Sequence, residues 1–160
     1  MITVEIKDAE VQAMLQRVSD VLADMSPVMN EIGAYLRDQA EDRFATGKAP
    51  DGTPWTPRSA ATLKNYERRA KKPGGQASWG GVLRYSGQLA NSLFHQYGPD
   101  WTRIGSPEPY AAMMHFGGTK SQWPHLWGDI PARPFLGMSD EDKQGVMDIA
   151  TEALQAALQP

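Results

Sequence analysis

Along the first half of the chain the hydrophobic positions change period once, from that of a strand to that of two successive helices. Ile2, Val4 and Ile6 alternate with Thr3, Glu5 and Lys7, the period-two pattern of a half-buried strand. From Val11 onward Met14, Leu15, Val18, Val21, Leu22 and Met25 recur three and four apart, which predicts an amphipathic helix, with Asp8 placed to cap its start. Ser26-Pro27 reads as an N-cap followed by a first-turn proline, so a second helix begins there. Its apolar face is Val28, Ile32, Tyr35, Leu36 and Phe44, and Gly47 is its expected C-cap.

The second half is broken by glycine and proline. Pro50-Asp51-Gly52 signals a turn, and residues 56–70 have room for a short basic helix. Residues 71–81, rich in lysine and glycine, are expected to form a flexible loop. Residues 92–97 and 101–105 flank Gly98-Pro99-Asp100, which predicts a β-hairpin. A short helix is expected over 109–116, closed by Gly117-Gly118, with a second flexible loop over 118–129. In a final helix Ser139 and Asp142 have capping-box spacing, and Val146, Ile149, Ala150, Ala153, Leu154 and Leu158 form the face expected to be buried. The order is strand, two helices, strands, short helix, strand, helix. That order predicts an α+β fold, one domain spanning 1–160, with N-terminal helices and a C-terminal helix packed on a small antiparallel sheet and long exposed loops.

Ile130-Pro131-Ala132-Arg133-Pro134-Phe135-Leu136-Gly137 stands out. Each proline fixes φ near −65°, removes a backbone donor and holds the residue before it out of the helical region. The segment is therefore extended and rigid, either as a stiff edge strand leading into the last helix or as a piece held in one shape for an assembly contact.

Composition narrows the function. The hydrophobic fraction of 41% is that of a globular protein, and a net charge of −3 argues against a nucleic-acid-binding polycation. The absence of cysteine excludes disulfides, thiol catalysis and cysteine zinc sites. The N-terminus lacks the apolar core of a signal peptide, and no apolar run reaches the roughly 18 residues that span a bilayer, so a soluble, cytosolically made product is expected. Catalysis has little support. There is no G-x-S-x-G elbow, phosphate loop or dinucleotide fingerprint, and His95, His115 and His125 lack metal-ligand spacing. His115 beside Phe116 reads as a packed or interface residue rather than a base, and Asp140-Glu141-Asp142 as favourable charge in a first helical turn rather than a metal site.

Two features point to partners instead. Arg58, Lys64, Arg68, Arg69, Lys71 and Lys72 crowd one segment in which Glu67 is the only acid. Such a run is either a solvated face or a phosphate-facing patch, and it has nothing that reads bases. Trp55 follows a proline turn and can anchor its loop on the core, whereas Trp79, Trp123 and Trp127 lie in loops too poor in apolar residues to bury them alone. Each of those three either tucks onto its own domain or marks a partner surface.

Four segments in order carry a resemblance: Pro50-Asp51-Gly52-Thr53-Pro54-Trp55; Leu83-Arg84-Tyr85-Ser86-Gly87-Gln88-Leu89-Ala90-Asn91-Ser92; Pro109-Tyr110-Ala111-Ala112 through His115-Phe116-Gly117-Gly118; and residues 130–137. Together they resemble the virion morphogenesis (tail completion) family of Mu-like tailed bacteriophages. Members often carry His-Gln just before Phe-Gly-Gly, where this chain has Met114-His115, and the tryptophan-bearing loop over 118–129 and the glycine loop before Val82 are particular to this chain.

The resemblance implies a structural virion protein of the head–tail junction, of neck or tail-terminator type, with no catalytic residue and no cofactor. Its implied partners are further copies in a ring, six in most such proteins, together with tail-tube and neck proteins and, transiently and without sequence preference, packaged double-stranded DNA. No membrane is implied. The residues expected at assembly contacts are Asp51, Trp55, Tyr110, His115, Phe116, Trp123, Trp127, Arg133 and Phe135. Those expected to face DNA or a channel are Arg58, Lys64, Arg68, Arg69, Lys71 and Lys72.

Overall fold

The computed structural model describes residues 8–75, 80–126 and 128–159. The expected strand over 2–6, together with Trp79, Trp127 and the middle of the 71–81 loop, lies outside the described residues. The axis of the molecule is α2, Ser26–Thr46, whose 21 residues span about 30 Å at 1.5 Å per residue. Around it lie α1 (Ala9–Ala23), α3 (Ala60–Ala70), α4 (Gln88–Asn91), β1 (Phe94–Tyr97), β2 (Thr102–Gly105), α5 (Ala111–Phe116) and α6 (Asp140–Leu158). Helices joined to a two-stranded antiparallel sheet make this the α+β fold expected from the sequence.

The hairpin forms where predicted. Phe94 pairs with Gly105 and Tyr97 with Thr102, and the Gly98 N–H donates to the Trp101 carbonyl across the turn at 2.8 Å. α2 lies directly on this hairpin. A side chain at Gly33 would collide with the Thr102 hydroxyl and the His95 ring, so close approach requires glycine there.

The two halves of α2 feed two apolar clusters. Its N-terminal half contributes Val28, Ile32 and Leu36, covered by Met25, Met29, Tyr35, Ile104 and the α6 residues Val146, Ile149 and Ala153. Its C-terminal half contributes Ala40 and Phe44, packed with Ala49, Trp55, Leu89, Ala90, Leu93, Ala111 and Phe135. α6 therefore runs antiparallel to α2, with Asp142 beside Arg43 at one end and Ala153 near Val28 at the other. α1 packs on α6, and Arg17 Nε donates to the Ala157 carbonyl at 3.1 Å.

Local expectations differ at four points. The N-cap of α2 is Met25 rather than Ser26, because the Asp24 carboxylate accepts the Ser26 N–H at 2.9 Å and draws Ser26 into the first turn. Bonds from the Ser26 side chain and backbone hold that carboxyl below its ordinary range. Residues 130–134 are extended as expected but form no regular strand. Among the described residues their one β-bridge is Gly118–Ile130, since proline supplies no donor to a ladder. In α6 the buried residues are Asp142 and Ala157, while Leu158 is exposed. In α1 the predicted apolar face exists but no residue of the helix is buried.

Candidate assembly site

The Pro50–Trp55 turn and the proline-rich segment singled out by the sequence are bound to each other. In the first, the Ala49 N–H donates to the Thr53 carbonyl and the Gly52 N–H to the Ala49 carbonyl, both at 2.9 Å. Asp51 Oδ1 accepts the Thr53 N–H at 2.9 Å, an Asx turn that, with the Thr53 side chain, keeps its carboxyl below the usual carboxylate range. This turn aims Asp51 at solvent and turns Trp55 inward. The Trp55 ring meets Phe44 edge-on at 5.6 Å, and its Nε1 donates to the Pro134 carbonyl at 2.9 Å.

The second segment, Ile130 to Gly137, is held from four sides. Arg133 Nε and Nη2 donate to the carbonyls of Thr56 at 2.9 Å and Pro57 at 3.3 Å, and the Arg133 N–H donates to the Met114 carbonyl at 3.0 Å. The Phe135 ring sits 5.2 Å from Phe44 and edge-on to His115 at 5.1 Å. His115 Nδ1 accepts the N–H groups of Phe135 and Leu136 at 3.3 and 3.4 Å. Backbone amides only donate, so the imidazole is neutral with its proton on Nε2, and burial holds its pKa below the ordinary value. Finally, Arg43 Nη1 donates to the carbonyls of Phe135 at 3.0 Å and Gly137 at 2.9 Å, while its Nη2 pairs with the buried Asp142 carboxylate. Asp142 Oδ2 also accepts the Ser139 N–H at 2.7 Å, which completes the expected capping box.

This geometry corrects part of the expected contact set. Trp55, Arg133 and Phe135 are buried among the chain's own residues, so none of them presents a surface to a neighbour in this fold. Buried aromatic rings satisfy the apolar requirement, and the Arg133 guanidinium satisfies carbonyls that the proline-rich backbone leaves without amide partners. Asp142, read as first-turn charge, is also the counter-ion of Arg43. Sequence reasoning missed that pair, although Arg43 falls at the i+3 position after Ala40 on the buried face of α2.

Of the other expected contacts among the described residues, four lie outside. Phe116 is 75% exposed, Trp123 49%, and Tyr110 and Asp51 are exposed as well. His115 is half-buried beneath Phe116, with the rings edge-on at 4.5 Å. The base of the loop carrying Trp123 is closed by paired Gly118–Ile130 amide bonds at 2.8 and 2.9 Å and by a 2.7 Å bond from the Lys120 N–H to Asp129. Gly117 turns the chain at its root with φ 71°, where a side chain would strike the Ile130–Ala132 backbone. Phe116 and Trp123 are thus apolar groups carried on a braced base.

The basic residues divide. Arg58 Nε donates to the Val82 carbonyl at 2.9 Å, and its guanidinium lies 4.8 Å from the centre of the Tyr66 ring, so Arg58 braces α3 from below. Lys64, Arg68, Arg69, Lys71 and Lys72 are exposed on α3 and the turn after it. Between α3, the 82–89 segment, α5 and Ile130–Arg133 opens a largely apolar cavity of about 600 Å³, floored by the packed rings of Tyr66 and Tyr85. Among the described residues, no group of three or more histidine, aspartate or glutamate side chains is placed to hold a metal ion.

The model of the phage virion morphogenesis family matches residues 6–155. The "Putative capsid assembly protein G" of Escherichia phage Mu is 31% identical over 149 residues, covering 92% of this chain and 90% of that protein. Mu-like prophage FluMu G protein 2 of Haemophilus influenzae is 26% identical over 149 residues, 92% of both chains. Tail completion protein S of Escherichia phage P2 is 27% identical over 158 residues, 87% of this chain and 93% of that protein. No solved structure matches. With the family match running almost from end to end, and the four motif segments folded into one braced unit, the chain belongs to the phage virion morphogenesis family.

Proposed function

We propose that this chain is a structural protein that completes the phage tail and joins it to the DNA-filled head as a ring of identical copies at the head–tail junction. The observation that carries the reading is the similarity, across most of both chains, to a phage P2 protein named for tail completion. The braced loop base with Phe116 and Trp123 outside supports it, because a joint needs apolar contact groups on a scaffold that does not yield. The proposed neighbours are further copies, six in a closed ring, and proteins of the tail tube and neck. The proposed place is the virion, after assembly in the host cytoplasm. The role is geometric rather than catalytic. The one histidine in the motif region spends its Nδ1 lone pair on two backbone amides.

A second reading, assembly of the capsid, is favoured by the name of the phage Mu relative. Electron microscopy of a lysate from phage lacking the gene separates the two. DNA-filled heads beside separate or overlong tails are expected. Joined virions overturn the proposal, and an absence of filled heads moves it to the capsid.

A further inference from the structure

No residue of the amphipathic helix α1 is buried. Its half-buried side, Met14, Val18 and Val21, faces the molecule, while Val11, Leu15 and Leu22, about 40° or less apart around the helix, stay outside. Leu15 is 59% exposed and Leu22 57%. Apolar groups aligned on one helix face mark an interaction surface. The charges elsewhere on this end of the molecule are mostly acidic: Asp8, Glu10, Asp20 and Asp24 on and around α1, with Glu10 and Asp20 about 100° or more around the helix from the apolar stripe, and Asp148 and Glu152 exposed on α6. The cation of α1, Arg17, is already bonded to the Ala157 carbonyl.

Helix α3 is the converse. None of its residues is buried, and Leu63 is exposed beside an apolar groove formed with Pro57, Tyr66, Ala70 and Val82. The charges around it are basic: Lys64, Arg68, Arg69, Lys71 and Lys72 against Glu67 alone. The two surfaces sit at opposite ends of the molecule. α1 joins α6 beyond the N-terminal half of α2, and α3 is tied through Arg58 and Val82 to the cluster at the C-terminal half.

The geometry points to a head-to-tail contact in which the acidic end of one copy, with the apolar stripe of α1, packs on the basic, apolar α3 face of the next. Opposite charge sets the register and excludes α1–α1 and α3–α3 pairing, and the leucines supply the buried area. Different patches at the two ends make the contact heterologous, and a heterologous contact that repeats with a closing rotation makes a ring. The inference deepens the ring reading above and rests on it for closure. The pairing of copies is testable apart from any role in the tail.

The chain has no cysteine, so introduced thiols are unique reporters. Leu15→Cys and Leu63→Cys are made singly and together in virions, and treated with a short bis-maleimide. A ladder of linked copies in the double variant, with monomer only in each single variant, is the expected result. Dimers in a single variant show a two-fold contact, and absence of links in the double variant shows that the faces do not meet; either overturns the inference. Charge reversal gives the second arm. Arg68→Glu with Arg69→Glu lowers plating at least 100-fold, and adding Asp20→Lys and Glu152→Lys returns it to within about 10-fold. A loss that the acidic-face changes do not relieve, together with salt-dependent duplex binding by the parent protein that Arg68→Glu and Arg69→Glu abolish, assigns α3 to DNA and overturns the inference. Joined virions in the gene deletion would sink the tail-completion reading while leaving the cross-linking result to stand or fall by itself.

Discussion

The two ends of α2 are built differently. At its C-terminal end Phe44 is enclosed by Trp55 and Phe135, and Arg43 ties α2 to both the proline segment and α6. Near its N-terminal end Ile32 and Leu36 are buried, but the next layer outward, α1, has no buried residue. The contrast teaches where the fold is self-sufficient. The closed end has a core sealed by the motif segments, whereas at the open end the outer helix α1 contributes no buried residue and leaves apolar side chains exposed among the described residues.

The sharpest way to break the closed end is to remove one member of its ion pair. Arg43→Ala leaves the Asp142 carboxylate buried without its cation and two carbonyls without a donor, which costs about 3–5 kcal/mol. Against a total stability of about 5–15 kcal/mol, this variant is mostly unfolded at modest urea concentrations. Urea melts monitored by circular dichroism test it, and a midpoint within error of the parent would show that the pair is not structural. Replacing both members together by apolar side chains of similar bulk, Arg43→Met with Asp142→Leu, recovers much of the loss.

Arg133→Glu is the next largest. It exchanges a donor for an acceptor against the Thr56 and Pro57 carbonyls, at a cost of about 2–4 kcal/mol. Loss of circular dichroism signal is expected in the isolated protein. A fully folded variant that fails only in virion assembly would instead make Arg133 a contact residue.

These residues show what was legible in the sequence and what was not. Periodicity and punctuation placed α1, α2, α3, α5 and α6, the hairpin and the capping box, because caps, turns and amphipathic faces are local, but not the single-turn helix α4. The stiffness of residues 130–134 was legible for the same reason. Its direction was not. Whether Phe135 and Arg133 point into the core or at a neighbour depends on Phe44 and on the Thr56 and Pro57 carbonyls, which are distant in sequence. Trp55 was readable as a loop anchor because a tight turn precedes it, yet its Pro134 partner was not. The Arg43–Asp142 pair spans 99 positions, and no local pattern records such a partner.

His115 gives a milder test of the closed end. The folded state holds the ring neutral and its pKa below 6.5, the value for an unperturbed histidine. The unfolded chain therefore binds more protons as pH falls through 6.5, so stability is fully present above that pH and declines below it until the folded pKa is passed. Protonation at Nδ1 also ends its acceptance of the Phe135 and Leu136 amides. Urea midpoints that fall between about pH 7.5 and about pH 5, with His115→Gln flattening part of the slope, are expected; an unchanged slope in the variant would place the titration elsewhere.

The smallest effect on stability belongs to the open end and is the most telling. Leu36→Ala, in the buried layer, costs about 2–5 kcal/mol because it removes packed methyl groups and leaves a cavity. Leu15→Ala lies one layer out, at a side chain more than half exposed, and changes stability by about 0.5 kcal/mol or less. If α1 were only a surface helix, the same insensitivity would hold for virion yield. If its face is completed by another copy, Leu15→Ala with Leu22→Ala leaves the urea midpoint of the isolated protein in place and lowers the yield of joined virions at least 10-fold. Equal stability with equal yield would make the exposed leucines incidental. Equal stability with lost yield would show that the open end is finished only in the assembly.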